Sequence, residues 1–220
     1  MEDRLSFYHP TEELFNVISH GAGLLLSLIG FATLLFYGFR SGSWTHVVAL
    51  GIYGLSLVVL YAASTSYHYV QEPKLRYKLN IFDHAAIYCL IAGSYTPYAL
   101  LFFAPRFGWT MMIVVWLAAG AGVVFKLFFT GKYNAVGTGT YILMGWMGVF
   151  AIGPLSRGLP IMGVSLLIAS GCLYTIGAIL YGLHRVKFNH AIFHVFVLLG
   201  SIAHFVSVFY FLLPSSLGNA

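Results

Sequence analysis

Apolar residues run along this chain in seven blocks. Each block is close to the ~20 residues that a helix needs to cross the hydrocarbon core of a bilayer. They cover roughly 17–39, 47–69, 79–103, 109–129, 137–155, 161–183 and 191–213. The fifth is the weakest, being short and rich in Gly and Thr. The pattern predicts an all-α membrane protein, a bundle of seven transmembrane helices. Connections are short, so one domain is expected: a cytoplasmic N-terminal segment at 1–16, the seven-span domain at 17–213 and a tail at 214–220. PLSRGLP at 154–160 reads as a tight turn. The opening residues MEDRLSFYHPTEELF lack a basic stretch and a small-residue cleavage site, so the first block is expected to stay as a span.

Composition narrows the class further. The 220 residues are 60% hydrophobic and 8% charged, with a mean hydropathy of +0.86. A soluble domain carries about 25% charged residues, so an integral, multi-pass membrane location is expected. Aromatic residues, 17% of the chain, suit interfacial belts. The net charge of +5 rests on eleven scattered Lys and Arg and gives no sign of nucleic-acid binding. Cys89 and Cys172 lie in apolar runs without a pair motif and read as buried apolar side chains.

Charge sets the expected orientation. With the N-terminus inside, Arg4, Lys74, Arg76, Lys78, Lys126, Lys132, Arg185 and Lys187 face the cytoplasm, against Arg40, Arg106 and Arg157 outside. Cationic loops favour the cytoplasmic side. The N-terminus is therefore expected in the cytoplasm and the C-terminus outside. PKLRYK at 73–78 reads as a solvated loop near anionic headgroups.

The remaining chemistry lies in the polar residues of the apolar blocks. Only Asp83 and Lys126 are charged there. The long stem of Lys126 is expected to snorkel to the surface. Asp83 is too short to do so, and an intramembrane carboxylate is costly and usually functional. His68 ends the second block, Asp83 lies near the start of the third, and NHAIFH, with His190 and His194, opens the seventh. All fall at the expected cytoplasmic end, so polar residues concentrate in one layer. Residues i and i+4 share a helix face, so His190 and His194 can reach one point, and His68 can complete a tripod. Three imidazoles with an open fourth position suit catalytic zinc. Asp83 can hold or deprotonate water there. Ser64, one turn before His68, can donate to an oxyanion. A proton relay or an interhelical hydrogen-bond network fits the same residues.

The other histidines read differently. His46, His84, His184 and His204 are assigned to packing, and His204 lies about 21 Å from His190 at ~1.5 Å per residue. His20 falls in the site layer but is not assigned as a ligand.

The set STSYH, FDH and NHAIFH, with the opening EELFNVISHGAG, resembles the hemolysin III family, of the progestin and adiponectin receptor (PAQR) group. The resemblance covers nearly the whole chain. It implies a zinc ion held by His68, His190 and His194, with Asp83 acting through water. The related alkaline ceramidases use a similar Ser, Asp and three-His set to hydrolyse a lipid amide. A zinc-dependent hydrolase of a lipid amide or ester is therefore expected, with Asp83 as base, Ser64 on the oxyanion, and a membrane lipid as substrate or ligand. An acyl chain is expected between helices where Gly120, Gly122, Gly145 and Gly148 leave space, although helix packing also explains these glycines. The resemblance also implies a bacterial plasma-membrane location. The alternative is a non-enzymatic protein, a pore-forming or lytic factor or a sensor, with a structural zinc. The long N-terminal cytoplasmic region of the receptors is missing from this sequence, which argues against receptor-type signalling.

Overall fold

The computed structural model describes residues 7–183 and 185–217. Arg4 and His184 therefore lie outside the described residues. Seven helices follow one another: α1 (Pro10–Arg40), α2 (Trp44–Tyr69), α3 (Pro73–Leu101), α4 (Pro105–Phe129), α5 (Asn134–Gly158), α6 (Ile161–Gly182) and α7 (Asn189–Ser216). No strand occurs among the described residues. Six of the helices are long and apolar enough to cross a membrane. The exception is α3, whose first half carries Lys74, Arg76, Lys78 and Asp83.

Burial is inverted relative to a water-soluble protein. Large apolar side chains such as Leu25, Phe36, Leu117, Phe150 and Ile161 point outward. Asn16, Ser64, His68, Arg76, Thr96 and Lys126 are buried. In hydrocarbon, apolar side chains gain nothing by hiding, whereas polar groups must find partners inside the bundle. The chain is a multi-pass integral membrane protein.

Neighbours in sequence pack as neighbours in space from α1 to α4, α6 packs on α7, and α7 closes against α1. α5 is held more loosely by α3, α4 and α6. Its weakness in sequence has a structural counterpart: the α-helix breaks into a tighter 3₁₀ stretch over Trp146–Ala151. Tyr95 of α3 repairs the break. Its hydroxyl donates to the Gly145 carbonyl (2.6 Å) and accepts from the Gly148 N–H (2.8 Å). The turn expected at 154–160 is mostly helix, which continues to Gly158. Pro154 sits in the first turn of that segment, where its missing N–H costs nothing.

Pro10, Pro73 and Pro105 start α1, α3 and α4 with the fixed φ that suits a first turn. The residues 73–78, expected as a solvated loop, are thus the opening of α3. Glu72 caps them by accepting from the Leu75 N–H (2.6 Å) and the Lys74 N–H (3.0 Å). Arg76 is fully buried.

α7 buries polar residues at intervals along its length, among apolar ones such as Ala191 and Val197. Beyond His194, Ser201 accepts from Tyr61 (2.8 Å) and meets Tyr174 (2.9 Å). His204 Nδ1 lies 3.0 Å from the Tyr53 hydroxyl, and Tyr98 meets Ser207 (2.9 Å). Polar residues therefore form a second buried layer, where the sequence had suggested one. The tyrosines that build it looked like interfacial aromatics in sequence.

Candidate metal centre

The end of α2 and the start of α7 converge. One ring nitrogen from each of His68, His190 and His194 lies within 4.8 Å of the other two, and all three residues are buried. His68 Nε2 and His190 Nε2 are 3.1 Å apart. No carboxylate joins this group among the described residues. Asp83 is nearby, sharing a cavity wall with His190. The Ser64 hydroxyl, buried one turn before His68, makes no well-formed hydrogen bond and sits beside the Asp83 carboxyl.

The start of α1 supplies the surroundings of the cluster. Because the helix begins at Pro10 rather than near 17, Glu12 and Glu13 fall inside the bundle, and both are buried. Glu13 accepts from His68 Nδ1 (2.6 Å) and pairs through its other oxygen with Arg76. Asn16 Nδ2 lies 3.3 Å from the same His68 nitrogen. Glu12 accepts from the His190 N–H (3.2 Å), which places a carboxylate at the N-terminus of α7, where its dipole favours one. Tyr8 brings its hydroxyl to 2.7 Å from His190 Nδ1. Arg76 also donates to the Tyr67 and Val70 carbonyls, 3.1 and 3.0 Å away. His20 stacks flat on His194, with ring centres 3.5 Å apart.

A cavity of about 240 Å³ opens from this layer into the bundle. His20, Asp83, His84, Lys126 and His190 line its polar end. Its wall then becomes apolar and continues past Leu90, Leu155 and Val197 to His204. Gly145 and Gly148 also line it. Gly122 has a different role: a Cβ there would collide with the Tyr88 ring, so it permits close packing of α3 and α4.

The chain matches the family described as Haemolysin-III related over residues 8–205. The chain belongs to this haemolysin-III-related family. It is 42% identical to Hemolysin-3 of Bacillus cereus over 205 residues, covering 93% of this chain and 94% of that protein. It is 40% identical to the Hemolysin-3 homolog of Bacillus subtilis (strain 168), covering 91% and 94%. It is also 26% identical to the human Monocyte to macrophage differentiation factor, covering 94% and 88%. The two bacterial relatives agree with a location in the bacterial plasma membrane.

This haemolysin-III-related chain has a donor set that fits a metal ion. Glu13 accepts a hydrogen bond from His68 Nδ1–H, a tautomer that leaves a lone pair on Nε2. That lone pair faces a second nitrogen at 3.1 Å, so a proton or a cation must lie between them. A carboxylate behind a ligand histidine is the usual support for a bound metal. The structure thus brings His68, His190 and His194 together and sets Ser64 beside Asp83. Glu12, Glu13, Asn16, Arg76 and Tyr8 went unnoticed. The signal that could have found them is the helical spacing of Glu13, Asn16 and His20, which puts all three on one face of α1. One further expectation changes. Lys126 does not snorkel: it is buried, with its side chain in the cavity wall. His84, assigned to packing, donates its Nδ1–H to the Asn80 carbonyl of its own helix (2.9 Å), and its ring lines the cavity.

Proposed function

We propose that the protein is a zinc-dependent hydrolase of a lipid amide or ester. The observation that carries this reading is the buried three-imidazole cluster, one member of which, His190, lines an apolar cavity. Zinc, held by His68, His190 and His194, would supply Lewis acidity and make water acidic enough to lose a proton near pH ~7. Three protein ligands leave a fourth position open, as in catalytic rather than structural sites.

The side chains divide the remaining work. Asp83, on the cavity wall beside His190, accepts the proton of an attacking water as general base. Ser64, whose hydroxyl makes no well-formed bond among the described residues and sits beside the Asp83 carboxyl, donates it to the oxyanion that develops on the carbonyl. Glu13 and Arg76 hold His68 in one tautomer and one orientation. The apolar wall beyond the polar end admits an acyl chain and keeps bulk water from the reacting carbonyl.

A second reading comes from the names of the bacterial relatives. It is a lytic or sensing membrane protein whose metal is structural. The two readings separate in one set of experiments. Metal analysis of purified protein is expected to find about one zinc, lost in the His190→Ala plus His194→Ala variant. Absence of metal in the parent would overturn both readings. Asp83→Asn is expected to keep zinc but abolish turnover across a panel of lipid amides and esters. A parent that binds zinc and turns over none of the panel favours the structural reading.

A further inference from the structure

The imidazole cluster is gripped from outside the helices as well as from within them. His68 and His190 turn their Nε2 atoms toward each other, 3.1 Å apart, so both Nδ1 atoms point away from the centre. Glu13 holds the first of these, and the Tyr8 hydroxyl holds the second at 2.7 Å. Tyr8 precedes α1 and belongs to no helix. Its ring lies against His190, with centres 4.5 Å apart, and 5.9 Å from that of His68. The Tyr181 hydroxyl of α6 stands beside its own. Nearby residues of the same segment are anchored to the same place. The Phe7 ring lies 4.7 Å from the Arg76 guanidinium, and Glu12 accepts from the His190 N–H. A second cavity of about 10 Å³, room for one water, is walled by Tyr8, Asn80, Gly131, Tyr181 and His190. Gly131 belongs to the α4–α5 turn, so this cavity lies between the loop end of the bundle and the cluster, with Tyr8 in its wall.

We propose that Tyr8 is a positioning residue of the metal centre, which fixes His190 through Nδ1 and so sets how firmly the ion is retained. An imidazole that offers Nε2 to an ion carries its hydrogen on Nδ1. The Tyr8 oxygen is placed to accept that N–H, and the Tyr181 hydroxyl is at hand for the phenol's own hydrogen. With Nδ1 held, the ring cannot swing and withdraw Nε2 from the centre. Glu13 does the same for His68 with a carboxylate. A neutral phenol does it for His190 without adding a third anion beside Glu12 and Glu13. Residues 7–13 thus act as a latch laid across the cluster, with Tyr8 as its catch. This rests on the reading that the cluster holds a metal, and it does not depend on hydrolysis.

The test uses the full-length protein in phosphatidylcholine nanodiscs, loaded with zinc or with cobalt(II) in its place. Tyr8→Phe keeps the ring and removes only the hydroxyl. Its zinc affinity, read by competition with a chelating dye, is expected to fall about tenfold or more. Loss of zinc to excess chelator should quicken, and the visible absorption bands of the cobalt form should shift, because they report the geometry of the ligands. Tyr37→Phe, near the far end of α1, should leave all three readings at the parent's values. A Tyr8→Phe variant equal to the parent in affinity, loss rate and spectrum would overturn the proposal. So would an equal change in Tyr37→Phe. Weaker affinity with an unaltered cobalt spectrum would make Tyr8 a packing residue and overturn it as well. A parent that binds neither metal would overturn the metal reading and this proposal together. A zinc-loaded parent that hydrolyses no lipid, with the Tyr8 effects intact, would sink the hydrolase reading alone.

Discussion

Two buried polar layers lie along α7, and they follow opposite rules. Around His190 and His194 the neighbours are charged: Glu12, Glu13, Arg76, Asp83 and Lys126. Among the described residues several polar atoms there make no well-formed hydrogen bond, among them both ring nitrogens of His20 and the Ser64 hydroxyl. Around Ser201, His204 and Ser207 the neighbours are neutral tyrosines, and each side chain meets a hydroxyl at 2.8–3.0 Å. The second layer satisfies itself and works as interhelical glue. Among the described residues the first is not fully satisfied by protein groups, and a polar layer of that kind points to a ligand. Burial of polar residues is common to both, so the difference lies in whether the partners close.

The comparison can be broken from either side. The largest effect is expected at Glu13, where Glu13→Gln removes the charge behind His68. Zinc affinity should fall by about 10- to 100-fold, as read by competition with a chelating dye. Tyr53→Phe, in the other layer, should leave that affinity unchanged. An equal loss in both variants would mean that the layers are not distinct. Next in size is Gly122→Ala, which drives a methyl into the Tyr88 ring. It should cost about 1–3 kcal/mol in unfolding, as overpacking does, with metal content preserved. Tyr53→Phe itself strips His204 of its partner and should cost about 0.6 kcal/mol, at most ~1.7, the range for such bonds within membranes.

The smallest effect concerns Glu72, outside both layers. Bonds from the Leu75 and Lys74 N–H groups hold its carboxyl below its ordinary range. A carboxyl with a lowered folded-state pKa contributes its stability above the unfolded value, and loses it as pH falls through the folded one. Glu72→Gln should therefore be slightly less stable than the parent near neutral pH. The gap should close as pH drops through the carboxylate range, as followed by thermal unfolding at a series of pH values.

All seven helices were legible because hydropathy over ~20 residues is a strong signal. The imidazole cluster was legible because NHAIFH repeats at helical spacing and charge placed it level with His68. Glu12 and Glu13 were not, because acidic residues ahead of an apolar block look solvated. Only the extension of α1 back to Pro10 draws them inward. Arg76 was hidden for the same reason, inside a basic stretch that usually marks a loop. Lys126 misled in a subtler way. Snorkelling is the general rule for a lysine near a helix end. The space that turns it inward comes from Gly137 on α5, and no local pattern shows that.

The Glu12 bond to the His190 backbone joins residues 178 positions apart in the chain. During synthesis α1 emerges first and α7 last, so the earliest and latest segments must meet before the metal centre exists. Until then His68 has its carboxylate from α1 but neither of its partner imidazoles. Capture of a metal by this cluster would therefore be a terminal step of biogenesis, and a chain stalled before α7 inserts has no cluster to fill. The ion, once bound, would act as a clasp across the seam where the ring of helices closes.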